Sequence, residues 1–135
     1  MKTPQPRLAS TMTPFPYSVD LDAPLAEAKR MIATHYFHHL PVTAGANIVG
    51  IVHCEDLGAD DSGFVRDHYR PDVYVVDIET PLSDVLVNMA EQHVDAAVVM
   101  RHDRLAGVFT TTDACRAFAA LLSELWPDPV DDWVA

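Results

Sequence analysis

The chain has few of the residues that mark several specialised classes of protein. Its 135 residues include only two cysteines and five glycines, so we expect neither a disulfide framework nor a glycine-rich phosphate loop. No uninterrupted apolar run approaches the roughly 20 residues that a membrane-spanning helix needs. The first ten residues, MKTPQPRLAS, lack the apolar segment of a secretory signal. Together these features predict a protein of the reducing cytoplasm.

Basic residues are also scarce. Lys and Arg number 9 against 20 Asp and Glu, which gives a formal net charge of −11. A surface this acidic repels phosphate backbones and anionic lipid, so neither nucleic acid nor a membrane is expected as a partner. A small anionic ligand in a locally favourable pocket remains compatible with the charge. The acidic stretches at 55–61 and 127–132 are interpreted as solvated surface.

What the chain does contain is an internal repeat with a spacing of 57 residues and no gap. Ten positions are identical in the two copies: Pro14, Tyr17, Val19, Asp20, Pro24, Leu25, Ala33, Val42, Gly50 and Asp56 recur as Pro71, Tyr74, Val76, Asp77, Pro81, Leu82, Ala90, Val99, Gly107 and Asp113. A unit of about fifty residues is marginal alone. The copies should therefore pack about a pseudo-two-fold axis, with any function in the cleft between them.

Each copy has the same predicted order of elements. A helix at Leu25 or Leu82 precedes strands at 39–43 and 48–52, or at 96–100 and 105–109. The second copy then continues into a long amphipathic helix to about residue 125, whereas in the first this helix is short. The predicted organisation is a flexible N-terminus (1–7), unit 1 (8–57), an acidic linker (58–64), unit 2 (65–122) and an acidic tail (123–135).

The junction between the last strand and last helix of each unit has the clearest chemical potential. In unit 2 it reads Gly107-Val-Phe-Thr110-Thr-Thr-Asp113. Free N–H groups at a helix start favour a phosphate, and a carboxylate one turn later can accept the two hydroxyls of a ribose. Gly107 allows a close approach of backbone or ligand. The same spacing is also that of a helix-capping box, which needs no ligand. Unit 1 keeps Gly50 and Asp56 but has His53 in place of the hydroxyl.

Both units resemble cystathionine-β-synthase (CBS) domains, and the whole resembles a tandem CBS pair, or Bateman module. The resemblance covers about residues 8–120. Its motifs are Met12-Thr-Pro14, Tyr17-Ser-Val19, Ala23-Pro-Leu25, His39-Leu-Pro-Val42 and Gly50-Ile-Val-x-x-x-Asp56, then Thr80-Pro-Leu82, Ala97-Val-Val99 and Gly107-Val-Phe-Thr110-x-x-Asp113. It implies an α+β fold of two β-α-β-β-α units packed through their sheets with pseudo-two-fold symmetry. Many members bind AMP, ADP, ATP or S-adenosylmethionine in the clefts between units.

The resemblance also implies roles for particular residues. Thr110 and Asp113, with Gly107, match the family motif that contacts phosphate and ribose. Unit 1 offers Asp56 but departs from the motif at His53. A basic residue before the first core strand reaches the phosphates in some members, and unit 1 has His38 and His39 there. Unit 2 has Asp95 and Ala96 at these positions, which argues against a highly charged ligand in its site.

Two other interpretations use the same part of the chain. Four histidines close to Cys54, Glu55 and Asp56 suggest a metal site: His35, His38, His39 and His53. Leu40-Pro41 should end the first helix of unit 1 at about His39, so His35 and His39 would not share one helical face. In a strand, His38 and His39 would point to opposite sides, so no metal site is predicted. Cys54 and Cys115 are expected to be partly buried, without a base at a recognisable spacing. The chain has no hydrolase, Walker or Rossmann signature, so no enzyme activity and no catalytic residue are predicted.

The sequence thus predicts a regulatory module that senses an adenine nucleotide, requires no cofactor and acts on an unidentified protein. The alternative is a ligand-free interaction or scaffold module. A homodimer is expected because the first helix of each unit is apolar over more of its circumference than one core face requires. The apolar positions are Leu25, Ala26, Ala28, Met31, Ile32, Ala33, Tyr36 and Phe37 in unit 1, and Leu82, Val85, Leu86, Val87, Met89, Ala90 and Val94 in unit 2.

Overall fold

The structure is a computed structural model that describes residues 4–15, 17–36 and 38–127. The predictions for Phe37 and for most of the acidic tail lie outside the described residues. None of the helices in the described ranges is long and apolar enough to cross a lipid bilayer.

The described part of the chain contains four α-helices and seven strands. The helices are α1 (Leu8–Thr11), α2 (Leu25–His35), α3 (Leu82–Gln92) and α4 (Thr111–Leu125). The strands are β1 (Thr13–Pro14), β2 (Val19–Asp20), β3 (His39–Ala44), β4 (Asn47–His53), β5 (Tyr74–Asp77), β6 (Ala96–Arg101) and β7 (Arg104–Thr110). The four long predicted strands are confirmed to within one residue at each end. The last helix of unit 1, which the sequence predicted to be short, is reduced to a single 3₁₀ turn, Cys54–Asp56.

The strands form two sheets that repeat one topology. One sheet has the order β2-β3-β4 and the other β1-β7-β6-β5. In each unit a parallel pair, β2 with β3 or β5 with β6, is followed by an antiparallel hairpin, β3–β4 or β6–β7. Even the irregularity recurs, because the register shifts between Val42 and Thr43 and again between Val99 and Met100. The predicted α+β fold of two related units is confirmed.

The two units pack through their sheets. Ile51 of β4 forms a buried cluster with Ala96, Val98 and Val108 of the other sheet. Each unit also has its own core between sheet and helix, in which α2 contributes Ala28 and α3 contributes Val85, Leu82 and Met89. The sheet-to-sheet contact is thus a third apolar cluster, separate from the core of each unit.

The first few residues of each predicted unit pack on the other unit. β1 pairs with β7 of unit 2, and Leu8 of α1 is buried in the unit 2 core. Likewise Arg70, just before unit 2 begins its β5, bridges to Ile51 of unit 1. The two units therefore exchange their first segments: Leu8 and β1 pack on unit 2, and Arg70 pairs with unit 1.

These crossings explain why glycine recurs at the same position in both units. A Cβ atom on Gly107 would lie 2.3 Å from the carbonyl oxygen of Thr13, and one on Gly50 would lie 2.4 Å from that of Arg70. Both distances are far shorter than a van der Waals contact. Gly107 therefore makes room for the crossing chain, and this closeness puts Thr13 next to the predicted site.

Candidate functional site

The strand-to-helix junction of unit 2 forms a complete capping box. β7 ends at Thr110, which is the N-cap of the 15-residue helix α4. The Thr110 Oγ1 atom accepts a hydrogen bond from the Asp113 backbone N–H at 3.2 Å, and Asp113 Oδ2 accepts one from the Thr110 N–H at 3.0 Å. The capping interpretation of this motif is therefore confirmed. It does not test the ribose role, because a carboxylate has about four acceptor sites and these bonds use only some of them.

The Asp113 carboxylate is also covered by the N-terminal segment. The Thr13 hydroxyl donates a hydrogen bond to Asp113 Oδ1 at 2.9 Å, and Asp113 is 5% exposed. Arg116 lies one turn further along α4, with its Nη1 atom 3.9 Å from Oδ1. A buried carboxylate at a helix start is stabilised by hydrogen bonds and by the helix dipole. A ligand hydroxyl can reach it only if Thr13 moves or shares it.

Unit 1 has the same arrangement with a different donor. Arg70 stands 57 positions after Thr13 and makes two hydrogen bonds to Asp56, from Nε to Oδ2 at 2.7 Å and from Nη2 to Oδ1 at 3.1 Å. These bonds are the main reason that the pKa of Asp56 lies below its ordinary value. Neither Thr13 nor Arg70 is among the site residues predicted from the sequence. The repeat spacing contained the signal, since both residues precede the same proline in their unit.

His53 takes the capping position of Thr110 in unit 1. Its Nδ1 atom accepts a hydrogen bond from the Glu55 backbone N–H at 3.1 Å, which caps the 3₁₀ turn. The side chain is buried and meets His39 edge to face, with ring centroids 4.6 Å apart and planes at 82°. Thus two of the predicted nucleotide-binding residues of unit 1 are in contact.

An acidic residue of unit 2 completes this group. Asp95 Oδ2 lies 3.3 Å from His39 Nε2 and 3.9 Å from His53 Nε2. Burial lowers the pKa of His39, and the neighbouring Asp95 carboxylate only partly opposes that shift. His39 is therefore held neutral more readily than an exposed histidine. The geometry brings Asp95 into the unit 1 site, which the sequence analysis considered only for unit 2.

The other histidines considered for a metal site lie apart from this group. His35 stacks on Tyr17 with ring centroids 4.7 Å apart. His38 Nδ1 lies 3.2 Å from Cys54 Sγ, so an imidazole does stand beside this half-buried thiol, contrary to the sequence analysis. Cys115 is exposed, and its prediction as a partly buried residue was wrong, because it faces away from the core on α4.

A groove of about 710 Å³ opens at the opposite end of the β6–β7 ladder. Met12 and Ile78 contribute apolar atoms to it, and Arg101 and Arg104 contribute charge. Arg101 pairs with Arg104 at that end of the ladder, while Thr110 pairs with Ala96 at the other. The groove is therefore separate from the predicted nucleotide site.

Comparison with solved structures identifies the same architecture in other proteins. The CBS domain pair of protein MJ0100, in complex with 5′-methylthioadenosine and S-adenosyl-L-methionine, has a TM-score of 0.74 at 19% identity and aligns over 87% of this chain and 99% of that one. The CBS domain of a bacterial CNNM/CorC family Mg²⁺ transporter, in complex with ATP, has a TM-score of 0.69 at 20% identity. The alignment covers 84% of this chain and 87% of that one. An uncharacterized conserved protein from Pyrococcus horikoshii has a TM-score of 0.70 at 22% identity, and the alignment covers 87% of this chain and 95% of that one.

At these identities the structural likeness shows a shared fold. None of the curated proteins compared with this chain matches it. The model of the CBS domain family matches the sequence twice, at residues 8–57 and 65–120, which is most of the chain and both copies of the repeat. Together with the duplicated sheet topology, these matches show that the protein belongs to the CBS domain family as a tandem pair.

Proposed function

We propose that this CBS pair is a regulatory module that binds an adenine nucleotide or a related adenosyl ligand and has no catalytic role. The observation that supports this most strongly is the Asp113 carboxylate, a buried acceptor fixed at the start of α4 beside the Thr110 hydroxyl. Neutral ribose hydroxyls can donate to such a carboxylate, and the helix start favours the phosphate of the same ligand. The ligands in the MJ0100 and CorC structures are adenosine compounds, which is consistent with this class.

Thr13 gives this proposed site a way to report occupancy. A ribose hydroxyl that takes the Asp113 oxygen must displace or share the Thr13 donor at 2.9 Å. Thr13 belongs to β1, which follows directly on α1, and α1 packs against α4. Ligand binding would therefore shift the N-terminal segment relative to unit 2, and a partner protein could sense that shift.

The second proposed site, in unit 1, has a different charge. Of the histidines predicted there, His38, His39 and His53, the last two contact Asp95, and Asp56 itself is already held by Arg70. A ribose there must compete with an arginine rather than with a threonine. We therefore propose that the unit 2 site is filled first, and that the ligand has few phosphates.

Mass spectrometry of the denatured protein would show whether an adenosine compound is retained during purification. Calorimetric titration with AMP, ADP, ATP, S-adenosylmethionine and 5′-methylthioadenosine then ranks the ligands. Asp113→Asn keeps an acceptor for the Thr110 N–H but removes the charge, and it should weaken binding by about 10- to 100-fold because a ribose hydroxyl loses its charged partner. Asp56→Asn is the matched control and should have a much smaller effect. Unchanged affinity in Asp113→Asn would contradict the assignment.

Exposed apolar side chains favour a further component of this function, a homodimer. Leu86 and Val87 of α3 are exposed, as the sequence predicted for a dimer surface, and Val87 is 54% exposed. On α2 the exposed positions at this face are mainly small, such as Ala26 and Ala33. A second apolar strip lies on α4: Phe118, Leu121, Leu122, Leu125 and Trp126 are all exposed. A soluble chain rarely leaves such a surface in water, so we propose that α3 and α4 of two copies pair.

Sedimentation at micromolar concentration tests this assembly. The wild type should sediment as a dimer of the 14.9 kDa chain, and Val87→Glu should dissociate it because the new charge would be buried without a partner. Ser62→Glu, on the exposed linker, is the control. If the wild type is monomeric at all concentrations, the dimer is excluded. If a dimer forms without retaining or binding any adenosine compound, the ligand-free interaction module becomes the better description.

A further inference from the structure

Three side chains with metal-binding atoms converge where the two units meet. His39 opens β3 and His53 closes β4, and the two residues face each other in the β3–β4 ladder. Cross-strand partners place their side chains on the same face of a sheet, which explains why the two imidazoles meet. Asp95 immediately precedes β6 of the other unit. One ligand atom from each of the three residues lies within 4.8 Å of the other two.

The distances are close to those of a metal site. Tetrahedral zinc with bonds of about 2.0–2.1 Å separates its ligand atoms by about 3.3 Å. His39 Nε2 and Asp95 Oδ2 are 3.3 Å apart, and His53 Nε2 is 3.9 Å from the same oxygen. The first pair already has the required spacing, and the second needs to close by about half an ångström, which a small side-chain rotation supplies.

The state of His39 points to a ligand in the same place. Its Nε2 atom is buried and has no hydrogen-bond partner among the described residues. Asp95 Oδ2, although close, does not have the geometry of a hydrogen bond to it. A buried polar atom without a partner is costly, and a native structure usually supplies one. A metal ion bound at Nε2 would satisfy this nitrogen.

We propose that His39, His53 and Asp95 form a site for a zinc-like divalent cation that links the two CBS units. Two imidazole nitrogens and one carboxylate oxygen match the ligand preference of Zn²⁺, and Mg²⁺ or Ca²⁺ would require more oxygen ligands. The two histidine side chains are 11% exposed and Asp95 is 55% exposed, so the open coordination position faces the Asp95 side. A water molecule or a ligand oxygen completes the coordination there.

Glu55 is placed to support the ligated form of His53. Coordination at Nε2 puts the ring proton on Nδ1, so the hydrogen bond that Nδ1 now accepts from the Glu55 N–H must be released. The Glu55 carboxylate lies 3.8 Å from Nδ1 and can accept that proton after a small movement. Metal-bound histidines commonly donate their other N–H to a carboxylate in this way. The same residue thus serves both forms of His53, through its backbone in one and its side chain in the other.

The site would couple metal binding to the arrangement of the two units. Two ligands belong to unit 1 and one belongs to unit 2, so the cation stabilises the packed form over any form in which the units separate. A ligand that binds only the native state raises its stability. The proposal does not depend on nucleotide binding in unit 2, since none of the three residues contacts Thr110 or Asp113 among the described interactions. His39 and His53 also belong to the second proposed nucleotide site, in unit 1, so the metal titration is carried out without nucleotide.

Calorimetric titration of tag-free, chelator-treated full-length protein with zinc chloride tests the proposal. One zinc ion per chain should bind and should raise the melting temperature in the absence of nucleotide. Asp95→Asn should weaken binding at least about ten-fold, and Glu55→Gln should weaken it about 10- to 100-fold without removing a direct ligand. Asp95 is exposed, so its substitution should leave the chain folded, and circular dichroism of the metal-free variant checks this.

The pair formed by His38 and Cys54 is the competing zinc site, and Cys54→Ser is therefore the matched control. Zinc affinity should be unchanged in that variant, and the cobalt-loaded wild type should show a tetrahedral spectrum without a thiolate charge-transfer band. The proposal is overturned if micromolar zinc does not bind the wild type. It is equally overturned if Cys54→Ser abolishes binding while Asp95→Asn retains it.

Discussion

Removal of the Asp113 carboxylate should destabilise the protein far more than removal of its counterpart Asp56. The loss of an N-cap interaction costs about 1 kcal/mol. The loss of the partly buried, charge-assisted bond from Thr13 costs about 1.5–3 kcal/mol. Relief of carboxylate desolvation offsets part of this, so Asp113→Ala should lower the free energy of unfolding by about 3 kcal/mol. The Asp56–Arg70 pair is partly exposed, so solvent screens it and Asp56→Ala should cost about 1 kcal/mol or less.

Urea unfolding followed by circular dichroism, without nucleotide, measures both changes. Thr13→Ala and the double variant with Asp113→Ala complete a mutant cycle. Because the two side chains are hydrogen-bonded at 2.9 Å, their effects should be non-additive by about 1 kcal/mol or more. The reasoning is refuted if the two aspartate variants lose the same stability, or if the Thr13 and Asp113 effects add within about 0.3 kcal/mol.

Three further predictions concern the backbone and the charges around the site. Gly107→Ala should lower the free energy of unfolding by about 1–3 kcal/mol, because its Cβ atom would lie 2.3 Å from the Thr13 carbonyl oxygen. The control is Gly58→Ala, whose Cβ atom would have no neighbour within 4 Å and which should be neutral in the same urea assay. His93 follows the end of α3 in the left-handed region, at φ 56°. His93→Gly should raise the melting temperature, because glycine removes a backbone strain of about 1 kcal/mol at this position. A melting temperature below that of the wild type would contradict this. The pKa of Asp56 is lowered in the folded protein, so the stabilisation from its carboxylate is complete above the unfolded pKa of about 3.9. This stabilisation is lost as the pH falls through the lower folded pKa. The unfolding free energies of the wild type and Asp56→Asn should therefore converge only in strong acid.

The two units and most of their elements are encoded in local patterns along the chain. A gapless repeat predicts two similar folds, and each core strand is a short apolar run that ends at a turn, which favours a strand over a helix. The close match between predicted and observed strands, such as 48–52 against β4 (Asn47–His53), follows from this local encoding. The capping role of Thr110 and Asp113 was predictable for the same reason, because both groups lie within one helical turn.

Contacts between side chains of different segments depend on the packing of the folded chain. The contact of Thr13 with Asp113 joins residues 100 positions apart, and it depends on a chain crossing that no periodicity encodes. The group of His39, His53 and Asp95 depends on the packing of one unit against the other. Asp95 belongs to a different sheet from the histidines, so their spacing in the sequence gives no sign of the contact. Local patterns specify elements through short-range backbone and apolar preferences, whereas a site shared by two units is fixed by the geometry of the interface between them.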